Sequence, residues 1–350
     1  MQPDTPGDAA LARPADGVSA AATPDGRDRA EPRLAAAAYG GPGWQPRLPT
    51  HREELGTLWR RAGLSTEWGR LETVLLCPPG AALAAAGADP DAAQLLAPVD
   101  LDRAEAEHAA LAAAYRAEGV EVIQAPASAT RPNQMFAADL FAMTPEGAIL
   151  ARPASRVRAG EEVAIAAALA GAGVPILGCM TGRATFEGAD LMWLAPDRAL
   201  VGLGLRTNAA ARDRLAGMLG EIGVTLEAVD LPWGTMHLMG MLRVLAPDLA
   251  IGWPRRLAAR AVAMLREAGC YVAMPDPAIP EGEINTGLNV VTLAPRRILM
   301  PAGQPRMRAF YEDLGVSMVE TGMDELTRAA GAVGCLTGVV ARAVPPGVEA

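Results

Sequence analysis

The chain has 350 residues, 51% of them hydrophobic, enough to bury one large core or two ordinary ones and to place it among globular proteins. Lys plus Arg is 31 and Asp plus Glu is 40, a net charge of −9 that matches a polyanion poorly and argues against nucleic acid as a partner. Cys77, Cys179, Cys270 and Cys335 lie far apart, with no CxxC pair and no histidine at ligand spacing, so free thiols in a reducing compartment are expected rather than a zinc site or disulfides.

In chain order, residues 1–45 are Ala, Pro, Gly and Asp with almost no large apolar side chain, and cannot bury enough surface to offset their ordering entropy. A disordered tail is expected there, followed by a lead-in segment at 46–68 and a single catalytic domain over 69–345. The tail has no basic stretch leading into an apolar one, and no later apolar run is long enough to span a bilayer. A cytoplasmic protein with no membrane partner is expected.

From about residue 69 the sequence repeats. "DLFAMTPEGAILAR", "DLMWLAPDRALVGLG", "GMLRVLAPDLAIGWP" and "NVVTLAPRRILMPAG" each read as strand, turn, strand, with turn prolines Pro145, Pro196, Pro247 and Pro295 at intervals of 51, 51 and 48. Each hairpin precedes a segment with apolar residues at three- and four-residue spacing, and three of the four such segments end at Gly, a helix stop. A short strand follows, as in "VPILGC". The unit is β-β-α-β, and its helix rules out an all-β propeller blade of similar period. A fifth unit is divided between the chain ends: "LETVLLCPPG", the helical "DRAEAEHAALAAAYRAEG" and "VEVIQAP" need "CLTGVVAR" as partner strand. Pairing the first and last strands closes a ring.

In such a ring, equivalent positions face one centre. The residues just before each hairpin are Asp139, Glu187, His237, Asn285 and Cys335, at intervals of 48, 50, 48 and 50. Singly, a cysteine is more often a small core residue, a histidine a satisfied polar one, and an acid before a strand a turn former. Five such groups at one centre are too costly as passive core, so a site is expected. A histidine beside a thiol supports a thiolate nucleophile, and paired carboxylates suit a planar guanidinium with forked N–H donors. His51 is assigned to the disordered tail, and His108 to a charged helix expected to face solvent, which leaves His237 as the histidine of the site.

The motifs "RPNQMFAADLF", "ATFEGADLMWL", "GLGLRTN", "GTMHLMGMLRV" and "GCLTGVVAR", spread over residues 69–342, resemble the ordered motifs of the guanidino-group-modifying pentein superfamily. That group contains arginine deiminases, dimethylarginine dimethylaminohydrolases and amidinotransferases. The resemblance implies a five-bladed α/β propeller of ββαβ modules with pseudo-five-fold symmetry. It gives Cys335 as the nucleophile that forms an amidino-thioether, His237 as general acid and base, and Glu187 as the carboxylate that orients this histidine and touches the substrate. Asp139 becomes the grip on guanidinium nitrogens. Arg206 resembles the arginine that receives a substrate carboxylate, a surface arginine at a helix start being the alternative; Arg158 is a weaker candidate for a second such clamp.

Three positions depart from the usual pattern. Met239 replaces a second guanidinium-binding aspartate, Gly334 replaces a histidine before the nucleophile, and Ala138 replaces an arginine before Asp139. Met239 as a pocket residue favours an alkylated, hydroxylated or less polar guanidine, or an amidine. The GxG of "GLGLRTN" lacks the third glycine and βαβ context of a dinucleotide site, so no cofactor and no metal are expected. The expected activity is a cysteine-dependent hydrolase acting on the C–N bond of a small arginine-like guanidine. An amidinotransferase is the alternative and a non-catalytic binding protein of the same fold is the third reading. A homo-oligomer is compatible with all three.

Overall fold

The computed structural model describes residues 36–345, so most of the expected disordered tail, residues 1–35, lies outside the described residues. Residues 36–49 form a small unit of their own with one 3-10 turn at Ala37–Tyr39; the second unit begins at Thr50 and holds every strand described below.

The strands fall in chain order into five modules: β1 (Leu71–Leu76) and β2 (Glu121–Gln124); β3 (Phe141–Thr144), β4 (Gly147–Leu150) and β5 (Ile176–Cys179); β6 (Leu191–Ala195), β7 (Arg198–Leu203) and β8 (Thr225–Asp230); β9 (Leu242–Ala246), β10 (Leu249–Gly252) and β11 (Tyr271–Ala273); β12 (Val291–Ala294), β13 (Arg297–Pro301) and β14 (Ser317–Thr321). The last strand, β15 (Gly338–Arg342), returns to the first module. The described residues thus make five three-stranded sheets, ordered β15-β1-β2, β3-β4-β5, β6-β7-β8, β9-β10-β11 and β12-β13-β14. In each, the first two strands run antiparallel and the third returns parallel to the second after a helix.

Strand chemistry follows position in the module. β3 and β10 are buried at every residue, because their apolar runs are covered on both faces, whereas the third strands β2 and β5 are exposed at both ends and form the outer rim. β1 pairs antiparallel with β15, Val74 opposite Val339 and Leu75 opposite Gly338, so the two ends of the chain build one module. The lead-in joins this closure: the Gly63 N–H donates to Val340 O at 2.9 Å, and the Leu64 N–H to Thr144 O at 3.3 Å.

Two elements differ from the sequence reading. The helix Leu101–Ala117 does not turn His108 to solvent: His108 is buried on the same stripe as Ala104, Leu111, Ala112 and Tyr115, and burial pushes its pKa down to about 4. A further helix, Glu281–Gly287, interrupts the approach to β12, with consequences for Asn285. No helix among the described residues is long and apolar enough to cross a membrane.

Candidate active site

In four of the five modules the segment before the first strand makes a tight turn toward the ring centre: Ala137–Asp139, Gly188–Asp190, Leu238–Gly240 and the single helical turn Val333–Leu336. These turns pack against one another. Their approach is close enough to dictate a glycine: a Cβ on Gly188 would collide with the carbonyl oxygens of Phe141 and Ala138. The turns thereby deliver Asp139, Glu187 and His237, all three buried, to one place.

His237 Nε2 bonds to Glu187 Oε2 at 2.7 Å, while His237 Nδ1 faces Asp139 Oδ1 at 3.7 Å. Glu187 Oε1 accepts from the Arg206 Nη1–H and the Ala154 N–H, both at 3.3 Å. Asp190 steadies the same turn: its Oδ2 accepts from the Thr207 hydroxyl at 2.6 Å and its Oδ1 from the Leu238 N–H at 2.9 Å, tying His237's neighbour to the preceding module. Asp139 Oδ1 is buried with no hydrogen-bond donor among the described residues, as is Glu161 Oε1.

Arg158 sits inside the cluster. Its Nη1 lies 2.6 Å from Asp139 Oδ2 and 3.3 Å from Glu187 Oε2, and its Nε donates to Glu161 Oε2 at 2.9 Å. The resemblance gave Arg158 and Arg206 as receivers of a substrate carboxylate; in this structure both are buried and engage the protein's own acids. The ligand atoms of Asp139, Glu187 and His237 lie within 4.8 Å of one another, a spacing that would admit a metal ion, yet the Arg158 guanidinium already supplies a cation to both carboxylates.

The charges shift one another's proton affinities. Burial alone would lower the His237 pKa, but Asp139, Glu187 and Asp190 outweigh it and bring it up to about 9. Burial opposes ionisation of Glu187, yet His237, Arg158 and Arg206 hold it well below the usual carboxylate range. Burial raises Asp190 to about 6 and Glu161 to about 7. For Cys335, burial and then the Asp139 charge push the thiol up, against the pull of Asn289, the Ala332 backbone and Arg243.

Cys335 is half-buried on the turn Val333–Leu336 and lines a cleft of about 600 Å³ together with His237, Met239 and Asn289. Asn289 holds it from two sides: Asn289 Nδ2–H donates to Cys335 Sγ and Asn289 Oδ1 accepts from the Cys335 N–H, both at 3.1 Å. Asn285, the residue taken from the periodic frame, is exposed on the cleft wall and makes no contact of this kind. The helix Glu281–Gly287 displaces the frame, so the side chain that meets the thiol stands four residues later, two before β12. The fixed interval concealed it; the asparagine opening "NVVTLAP" was the available signal. Gly334 is explained as well, since a Cβ there would strike Arg243 Nη2 and lie 2.8 Å from Asn289 Oδ1. A histidine has no room at that position.

Comparison with known proteins gives likenesses in sequence and fold. The family model for eukaryotic N,N dimethylarginine dimethylhydrolase matches residues 94–261. Among curated proteins, the uncharacterized YkgA of Bacillus subtilis is 23% identical over 273 residues, 78% of this chain and 92% of its own length. An N(G),N(G)-dimethylarginine dimethylaminohydrolase of Mycobacterium tuberculosis is 28% identical over 245 residues, 69% of this chain and 77% of its own. Among solved structures, a dimethylarginine dimethylaminohydrolase of Pseudomonas aeruginosa complexed with citrulline aligns with TM-score 0.64 and 22% identity, over 78% of this chain and all of that one. An amidinotransferase from the saxitoxin pathway of Microseira wollei aligns with TM-score 0.68 and 18% identity, over 81% of this chain and 98% of that one. With five ββαβ modules closed by β1 and β15 the chain shares the fold of these solved structures, and its matches support the guanidino-group-modifying pentein superfamily.

Proposed function

We propose that this protein is a cysteine-dependent hydrolase that cleaves a C–N bond in the guanidine of a small arginine-like substrate. The observation that carries the reading is the joint placement on one cleft of a half-buried thiol clamped by Asn289 and of His237, which Glu187 holds by a hydrogen bond. Its relatives named for dimethylarginine hydrolysis support the alkylated guanidine over the unsubstituted one.

The guanidinium enters beside Asp139, whose Oδ1 is an unspent acceptor for one substrate N–H. Met239, on the cleft wall, presents no second acid, which suits a substrate with alkyl groups in place of N–H donors. Seating the cation against Asp139 and Glu187 requires Arg158 to give way, and Glu161 is its remaining partner. A substrate cation next to Sγ also opposes the burial and the Asp139 charge that hold Cys335 protonated, so binding itself promotes the thiolate.

Sγ then attacks the guanidinium carbon, and the tetrahedral adduct expels an amine as imidazolium His237 delivers its proton to the departing nitrogen. A pKa near 9 keeps His237 in the acid form at neutral pH. Now neutral, the imidazole removes a proton from water as that water attacks the amidino-thioether carbon. The C–S bond breaks, returning the thiolate and releasing a ureido product. An amine in place of water would give amidine transfer through the same thioether. The likeness to the Microseira amidinotransferase favours keeping that as the second reading.

Turnover of Nω-methylated arginines to ureido product and alkylamine tests the reading, with Cys335→Ser and Cys335→Ala as controls. Both variants are expected to lose turnover completely; retained activity in either would contradict covalent catalysis. Ureido product without an added amine selects hydrolysis, and product formed only with an amine acceptor selects transfer.

A further inference from the structure

Beside the catalytic turn, lined by Gly334 and Thr337, lies a second cavity, of about 90 Å³, which no step above uses. Its walls mix polar and apolar surface: Phe141, Trp193 and Met239 stand beside two arginines. Arg342 is buried at 6% exposure; its Nη1 donates to Gly69 O at 2.8 Å and to Thr292 O at 2.7 Å, and its Nε has no acceptor among the described residues. Arg243 donates from Nε to Leu288 O at 2.9 Å, and its buried Nη2 likewise has no acceptor.

The charges around the cavity do not balance. Its lining holds Arg243, Arg342 and one acid, Glu67, whose Oε1 is already accepting from the Trp193 N–H at 2.9 Å; neither arginine forms an ion pair with it. Two buried guanidinium groups beside one cavity repel each other and carry unsatisfied donors, a costly arrangement unless something supplies negative charge and lone pairs. Burial lowers both arginines, Arg342 to about 10 with Arg243's charge contributing.

We infer that this cavity is a binding site for a small monovalent anion, of the halide or formate class, held between Arg243 and Arg342. The volume of about 90 Å³ limits size, and the two arginines with one opposing carboxylate limit the charge the site neutralises to about one. The site is coupled to the nucleophile through Arg243, whose Nη2 packs under Gly334 and whose charge favours the Cys335 thiolate. An anion on Arg243 cancels part of that field, so occupancy raises the pH at which Cys335 ionises.

The test needs no substrate and is independent of the reaction proposed above. Thermal unfolding of the full chain is followed in sodium chloride and in sodium gluconate at matched ionic strength, gluconate being too large for the cavity. Alkylation of Cys335 by neutral iodoacetamide is followed against pH in both salts. Chloride is expected to raise Tm by about 2–4 °C with saturation, and gluconate to leave it unchanged. It is also expected to move the alkylation midpoint upward. In Arg342→Gln and in Arg243→Gln both chloride effects should vanish, while Arg342→Lys, which keeps the charge, should retain part of them. Equal behaviour of wild type in the two salts would overturn the assignment even if the variants failed to fold. So would a chloride effect that survives in a folded variant, or one that leaves the alkylation midpoint in place.

Discussion

At the scale of single residues, the centre is governed by buried charges that depend on one another. Glu187 accepts from His237, Arg158 and Arg206, so replacing it changes the proton affinity of the histidine more than its position. Glu187→Gln should bring the His237 pKa down from about 9 toward its ordinary range and cut turnover by about 10²–10⁴-fold, with the alkaline limb of the pH profile displaced to lower pH. NMR titration of the His237 ring checks the first part, and an unmoved pKa would remove Glu187 from its orienting role. Asn289→Ala removes both bonds to Cys335 and should lower kcat about tenfold or more with a smaller effect on KM, since it frees the nucleophile rather than the substrate. A loss confined to KM would say instead that Asn289 contacts substrate. Residue chemistry was only partly legible in the sequence. Asp139, Glu187, His237 and Cys335 stand in the repeat frame, and the fold gathers the first three into one buried cluster. Asn289 lay hidden because one inserted helical turn breaks the interval, and the partners of Arg158 depend on distances that no spacing encodes.

At the scale of elements, the hairpins were readable because a proline turn between two apolar runs leaves few alternatives, and the module split across the ends was readable because one strand had no partner nearby. His108 shows where such reading fails. Charged neighbours on the helix Leu101–Ala117 suggested a wet face, whereas its 3.6-residue period places the imidazole among Leu111 and Tyr115. Closure through β15 makes a sharp prediction. A chain ending at Thr337 loses the partner of β1 and exposes an apolar edge, so it should unfold without a cooperative transition; circular dichroism during a urea titration would show this. Leu75→Ala, in the fully buried middle of the closing sheet, should be milder, costing about 2–5 kcal/mol by the same titration. A cooperative, undiminished transition in the truncated chain would mean that the ring does not need its last strand.

At the scale of the whole molecule, the buried centre links folding to pH. His237 has a folded pKa near 9 against an ordinary 6.5, so its contribution is fully present below about 6.5 and is lost as pH rises through 9. The difference corresponds to something on the order of 3 kcal/mol and is not His237's alone, since the same pairing holds Glu187 ionised. Glu161 and Asp190, raised to about 7 and about 6, act in the same direction at lower pH: the folded state holds their protons more tightly, and that contribution falls as pH climbs from the ordinary carboxylate range through those values. His108 opposes them, since its lowered pKa costs stability as pH drops below 6.5 toward 4. Urea midpoints should therefore decline between pH 6.5 and 9 in wild type and stay nearly level over that window in His237→Gln; a level wild-type profile would show that the histidine is not held as an imidazolium. A centre of ion pairs this deeply buried contributes little net stability for its cost, which is the physical reason to regard it as a site.

The measurement that bears most directly on this account is intact-protein mass spectrometry after brief exposure to arginine, Nω-methylated and hydroxylated arginines, agmatine and guanidinoacetate, each quenched in acid. The account predicts a mass increase that depends on substrate, maps to Cys335, is largest for an alkylated guanidine and is absent from Cys335→Ser. Substrate turnover with no adduct at Cys335, or an adduct that persists in Cys335→Ser, would contradict it.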